Sequence, residues 1–265
     1  MGILNVTPDS FSDGGAFFDP ARAQDHARRM AADGADLVDI GGESTRPGAE
    51  PVSDRDELAR VIPLVEILAG EGLAISVDTR KPAVMRAAVA AGAAMINDVC
   101  ALALPGALEA VAAGDAGVCL MHMRGEPRTM QAEPVYADVV AEVRAFLRAR
   151  ADACVAAGID RSRIALDPGF GFGKTLAHNL QLLRALPELV ALGYPVLCGL
   201  SRKSSLGRLT GRDPGERLAG SLAAALASVA RGAALVRVHD VRETVDALKV
   251  WGAVDAAHAA DGMTG

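Results

Sequence analysis

The chain has 265 residues, 51% of them apolar, and a formal net charge of −6 with no basic run; it can bury one large core, and nucleic acid is not expected as its main partner. No apolar stretch reaches the roughly 18 residues of a membrane span, and no apolar run precedes Asp9 and Asp13 as a signal peptide requires. Cys100, Cys119, Cys154 and Cys198 are far apart and lack C-x-x-C spacing, which reads as reduced thiols in a cytoplasmic protein.

Strand and helix alternate along the chain. Residues 1–6 read as a short apolar strand, and 19–35 as an amphipathic helix with Pro20 near its start. Strand two is 37–42 and helix two 53–69, where Ser53 and Asp56 resemble a capping box. Strand three (74–79), helix three (82–93), strand four (95–99) and helix four (105–113) follow. Strand five (117–123) leads to a long helix at 136–157. Strand six (164–167), helix six (177–192), strand seven (195–200), helix seven (214–231), strand eight (235–239) and helix eight (242–254) complete the series.

Eight βα units with strands apolar on both faces point to a closed parallel sheet, a single-domain (β/α)8 TIM barrel over residues 1–254. The small, polar residues 255–265 are expected to fray. Met1 falls inside strand one, leaving nothing to plug the N-terminal mouth of the barrel, so further residues are expected upstream.

The stretch Ile164-Ala-Leu-Asp-Pro-Gly-Phe-Gly-Phe-Gly-Lys174 stands out. A carboxylate ends an apolar strand there, which is costly unless something binds it. Three glycines then let the backbone bend closely around a ligand. Pro168 stands where a P-loop needs glycine, and Lys174 where a dinucleotide fingerprint needs its third, so neither common nucleotide loop fits. Asn5, Asp78, Asn97, His122, Asp167, Ser201 to Lys203, and Arg237 to His239 lie at or just after strand C-termini, and Glu43 to Arg46 follow strand two. Barrel enzymes build their sites at that end. Arg237 and His239, two apart, share one strand face, with Val238 turned toward the helices.

These groups divide into two chemistries. Asp78, Asn97, Asp167 and Lys203 suit a flat, nitrogen-rich heterocycle, whose N–H groups a carboxylate can accept in pairs. Asn5, Arg46, Arg237 and His239 suit an anion such as pyrophosphate, with a hard metal ion on the Asn5 oxygen. Two glycine-containing loops, 7–17 and 43–52, are candidate lids.

Met1-Gly-Ile-Leu-Asn-Val-Thr-Pro-Asp-Ser-Phe-Ser-Asp-Gly-Gly15 closely resembles the opening signature of the dihydropteroate synthase family. So do Gly41-Gly-Glu-Ser-Thr-Arg-Pro-Gly48, Ser76-Val-Asp-Thr-Arg80, Ile96-Asn-Asp-Val99, Met121-His-Met123, the 167–174 stretch, Ser201-Arg-Lys-Ser204 and Arg237-Val-His-Asp240. The resemblance implies a barrel that joins 7,8-dihydropterin-6-ylmethyl diphosphate to 4-aminobenzoate, releasing pyrophosphate and 7,8-dihydropteroate. It implies that Asp78, Asn97, Asp167 and Lys203 hold the pterin, with Met121 and Phe172 packed near its ring. Asn5 would contact magnesium, and Arg46, Arg237 and His239 would hold pyrophosphate. Phe11, Thr45, Pro47, Ser201 and Lys203 would shape the aminobenzoate pocket, where sulfonamides also bind. The catalytic set would be Asp78, Asp167, Lys203, Arg237 and His239, and the assembly a homodimer through the last helices. His122 reads mainly as packing or as support behind the residues that touch the ligand.

Three alternatives make different demands. A pterin-binding methyltransferase module would need neither the Ser-Thr-Arg-Pro-Gly segment nor the Arg-x-His pair, and both are present. An amidohydrolase barrel needs His-x-His on strand one, where this chain has Gly2-Ile-Leu-Asn-Val6. A binding-only paralogue is told apart by an activity assay.

Overall fold

A computed structural model describes residues 1–7, 19–44, 50–125, 130 and 134–261, with side chains described to residue 255. Six strands pair in parallel in chain order: β1 (Gly2–Asn5), β2 (Val38–Gly41), β3 (Ile75–Asp78), β4 (Met95–Asp98), β5 (Gly117–Met121) and β6 (Ile164–Asp167). β7 (Leu197–Cys198) and β8 (Leu235–Val236) pair with each other. Parallel bridges Leu166 to Val196 and Gly2 to Val238 join the two sheets on both sides, and the ring of strands closes into the expected (β/α)8 barrel.

Register explains the layering. Side chains alternate across a strand. Leu4, Val38, Ile40, Ile75, Val77, Ile96, Leu120, Ile164 and Leu166 lie in one buried cluster with the apolar faces of the helices. The alternate positions turn into the barrel. Near its N-terminal end Cys119, Ala165 and Leu197 form a second small cluster with Met1, Met95 and Leu235. The other inward positions carry Asp39, Ser76, Asp78, Asn97, Asp167 and Arg237.

The helices are α1 (Pro20–Ala32), α2 (Asp54–Gly70), α3 (Pro82–Ala90), α4 (Ala107–Ala112), α5 (Val139–Ala156), α6 (Leu176–Arg184), α7 (Leu186–Val190), α8 (Ser204–Thr210), α9 (Leu218–Val229) and α10 (Val241–Asp261). Asp19, Ser53, Asp138 and Thr175 cap the first turns of α1, α2, α5 and α6 with side-chain oxygens. Three departures from the expected elements stand out. Helix six is two helices that break at Ala185, where Pro187 falls in the first turn of α7; Pro suits a helix start, whereas inside a helix it removes a backbone hydrogen bond. An extra helix, α8, follows β7. Finally, α10 runs on to Asp261, into the stretch from residue 255 expected to fray, where alanine, the best helix former, recurs.

Candidate active site

Asp167 ends β6 inside the mouth of the barrel and is 5% exposed. Its Oδ1 accepts the backbone N–H of Gly169 at 2.7 Å, and its Oδ2 takes no hydrogen bond among the described residues. Gly169 has φ 67°, and a Cβ there would lie 1.9 Å from the His122 carbonyl oxygen; only glycine lets the turn pass that close. Gly173 repeats the device, with φ 63° and a would-be Cβ 2.2 Å from the Arg124 carbonyl oxygen. Lys174 is buried behind this turn. Its Nζ donates to the carbonyls of Gly169 (2.9 Å), Phe172 (3.0 Å) and His122 (3.2 Å) and lies 2.9 Å from His122 Nδ1. Burial lowers the Lys174 pKa to about 7, and burial together with the Lys174 charge lowers that of His122 to about 3. Both shifts keep His122 neutral beside Lys174, and its ring packs edge-on against Phe146 at 5.0 Å. Lys174 thus acts as an internal staple for the glycine turn.

Lys203 reaches the same turn from the loop after β7. It donates to the Phe170 carbonyl, and its Nζ sits 4.6 Å from the centre of the Phe172 ring. Burial lowers the Lys203 pKa to about 8, against the opposing pull of Asp167. Burial likewise raises the Asp167 carboxyl above its ordinary range, with Lys203 opposing. Met121, which pairs with Asp167 in register, is 4% exposed and borders the turn from the β5 side.

On the opposite side of the barrel, Asn5, Gly41, Asp78 and Asn97 stand side by side in register on β1 to β4. A Cβ on Gly41 would lie 3.6 Å from Asn5 Oδ1 and 3.7 Å from Asp78 Cβ, so its absence leaves room between the two. Arg237 follows β8 and crosses the interior. Its Nη2 donates to Asp78 Oδ2 at 2.9 Å and its Nε to Asp39 Oδ2 at 2.5 Å. Asn97 Nδ2 donates to the same Asp39 oxygen at 3.1 Å. Burial raises the Asp78 pKa, and the Asp39 charge adds to the rise while Arg237 opposes it. His239 is held apart from this set: Ser201 Oγ lies 3.0 Å from its Nδ1 and accepts its backbone N–H at 3.2 Å.

The expected residues are therefore largely brought together. Asp78, Asn97, Asp167, Lys203, Met121 and Phe172 converge on one mouth, with Asn5 at its rim and Ser201 and His239 in mutual contact. Phe11, Thr45, Arg46 and Pro47 lie outside the described residues, as do 8–17 of the first candidate lid and 45–49 of the second. What is described of the second lid is its stem. Lys81 Nζ bonds Glu43 at 2.7 Å, Glu57 at 2.5 Å and the Val52 carbonyl at 2.6 Å, tying both ends of the loop to the start of α3. Arg237, expected in the anion set, is anchored by Asp39 and Asp78, beside the residues of the heterocycle side. His122, read as packing or support behind the site, packs on Phe146 and lies against Lys174. Asp39, 0% exposed, was not singled out from the sequence; the available signal was its place two residues before Gly41, on the same inward face.

Among the described residues no group of three or more His, Cys, Asp or Glu side chains could hold a metal. A lone amide oxygen at Asn5 fits an ion held mainly by a diphosphate and water, as magnesium usually is. No described helix is long and apolar enough to cross a membrane.

The family described as "Pterin binding enzyme" matches residues 1–239. Dihydropteroate synthase of Neisseria meningitidis serogroup B is 57% identical over 261 residues, covering 96% of this chain and 92% of that one. Among solved structures, Yersinia pestis dihydropteroate synthase in a sulfonamide drug complex superposes with a TM-score of 0.92 at 51% identity, covering 96% of this chain and 93% of that chain. Xanthomonas albilineans dihydropteroate synthase with 4-aminobenzoic acid gives 0.91 at 60% identity, covering 96% and 92%. With this fold, this mouth and these relatives, the chain belongs to the pterin-binding enzymes, within the dihydropteroate synthase family.

Proposed function

We propose that this barrel mouth joins a 7,8-dihydropterin-6-ylmethyl diphosphate to 4-aminobenzoate, giving 7,8-dihydropteroate and pyrophosphate. The observation that carries the reading is Asp167: a buried carboxylate with one oxygen fixed by Gly169 N–H and the other without a bond among the described residues. Such an oxygen suits the N–H edge of a pterin. Asp78, Asn97 and Lys203 complete that edge, and Met121 and Phe172 pack against the ring. Arg46, Arg237 and His239 take the diphosphate. Asn5 would hold magnesium, which when bound offsets diphosphate charge.

The chemistry needs no side-chain nucleophile. The bond from the pterin methylene carbon to the diphosphate oxygen breaks, and pyrophosphate leaves with the electron pair. Cationic donors stabilise the departing charge. The ring delocalises the positive charge left behind, and Asp78 and Asp167 favour it electrostatically. The aminobenzoate amine, positioned by Phe11, Thr45, Pro47, Ser201 and Lys203, forms the C–N bond and loses its proton. A sulfonamide would compete for that pocket. All four cysteines are free, which suits a cytoplasmic enzyme. The assembly we propose is a homodimer, which would cover Val250 and Val254 on α10, 67% and 63% exposed here. Incubation with pterin diphosphate, 4-aminobenzoate and magnesium tests the activity: 7,8-dihydropteroate should accumulate, and a protein that binds pterin without forming it would refute catalysis.

A further inference from the structure

Arg237 reaches from the end of β8 to β2 and β3, and its orientation is set from below. Of its five N–H donors, the one on Nε is spent on Asp39 and one on Nη2 is spent on Asp78. Nη1 makes no hydrogen bond among the described residues, and the side chain is 19% exposed. A guanidinium is planar and rigid. Fixing Nε therefore fixes the plane, and with it the direction in which Nη1 points.

Asp39 is built for that task and for little else. It lies on β2 one pleat below Gly41, pairs in register with Ser76, and is 0% exposed. A ligand entering at the strand ends meets Asp78, Asn97 and Asn5 first. One Asp39 oxygen, Oδ2, serves both Arg237 and Asn97. The other, Oδ1, is buried without a hydrogen-bond partner, as is the neighbouring Ser76 hydroxyl. Leaving a carboxylate oxygen buried and unbonded is costly, and a residue there only for packing would be apolar.

We infer that Asp39 is a positioning residue for the reaction: from beneath the pocket it aims the Arg237 guanidinium at the departing diphosphate, touching neither substrate itself. The inference rests on the reading of the mouth given above.

A double-mutant cycle tests this, with Asp39→Asn, Arg237→Ala and the double variant assayed for dihydropteroate formation beside the wild type. Asp39→Asn should lower kcat about 10- to 100-fold with the KM for 4-aminobenzoate nearly unchanged, because the lost bond aims the leaving-group cation. The double variant should be no more than about threefold slower than Arg237→Ala alone, because Asp39 acts through Arg237. Multiplying effects, or wild-type kcat in Asp39→Asn, would overturn the assignment. A wild type that forms no product would overturn the reading of the site, and the inference with it. If Asp39→Asn does not fold, the wild type decides by nitrogen-15 NMR. The Arg237 Nε–H should be strongly protected from solvent exchange, and exchange at the rate of a free arginine would overturn the proposal.

Discussion

Asp167→Asn is the substitution whose outcome the geometry defines most sharply. Asparagine has the same shape, so the β6 end and the glycine turn should persist. The Gly169 N–H, 2.7 Å from Oδ1, requires an acceptor and therefore decides which way the amide faces. The carbonyl must turn to Gly169, and the NH2 group must then turn to the pterin. A donor would face donors where a carboxylate accepted them. Losing a charge-assisted bond at a buried site, with a ligand donor left unpaired, costs about 2–4 kcal/mol, or roughly 30- to 1,000-fold in affinity. The assay is calorimetric titration of the folded variant with a 6-hydroxymethyl dihydropterin that lacks the diphosphate, so that only the heterocycle is read. An affinity within threefold of wild type would refute the placement of Asp167 on the pterin edge.

Arg237→Ala should slow turnover by roughly 10²–10³ and lower the melting temperature, because Asp39 and Asp78 lose their shared cation; unchanged turnover would remove Arg237 from the reaction. The pH profile of kcat/KM for the pterin should fall above a limb near 8, where the buried Lys203 ammonium loses its proton. Lys203→Arg, charged at every accessible pH, should carry that limb at least about one unit higher, and a limb that stays put would assign it to another group. Gly169→Ala meets both a left-handed backbone and a Cβ 1.9 Å from the His122 oxygen. It should destabilise the fold by at least about 2 kcal/mol in urea titration, and a wild-type midpoint would show that the turn can rearrange.

Much of this architecture was legible because parallel barrels write themselves in a simple code: apolar strand, polar residue at its C-terminal end, helix. Asn5, Asp78, Asn97 and Asp167 follow that code and lie where it puts them. What was not legible depends on contacts between distant segments. Asp39 sits mid-strand, and nothing in Val38-Asp39-Ile40 says that Arg237, far along the chain, will arrive to pair with it. Arg237 was read as an anion ligand because it is a cation in a set of cations and donors; that the carboxylates of β2 and β3 anchor it could not be read from its own stretch of sequence. Lys174 looked like the close of a ligand loop, yet its amine turns inward to three carbonyls. The break at Ala185 shows local chemistry overriding a simple periodicity: Pro187 was visible, but the apolar pattern ran through it.

The central claim is that pyrophosphate departs from a pterin held by carboxylates and that the amine attacks without an enzyme-bound adduct. Single-turnover measurement of pyrophosphate release, with the protein mass followed in the same reaction, tests it directly. With pterin diphosphate, magnesium and 4-aminobenzoate, one dihydropteroate should appear per pyrophosphate released, and the protein mass should stay that of the free chain throughout. A protein carrying a covalent pterin at early times, or pyrophosphate released without matching dihydropteroate while 4-aminobenzoate is saturating, would contradict the account.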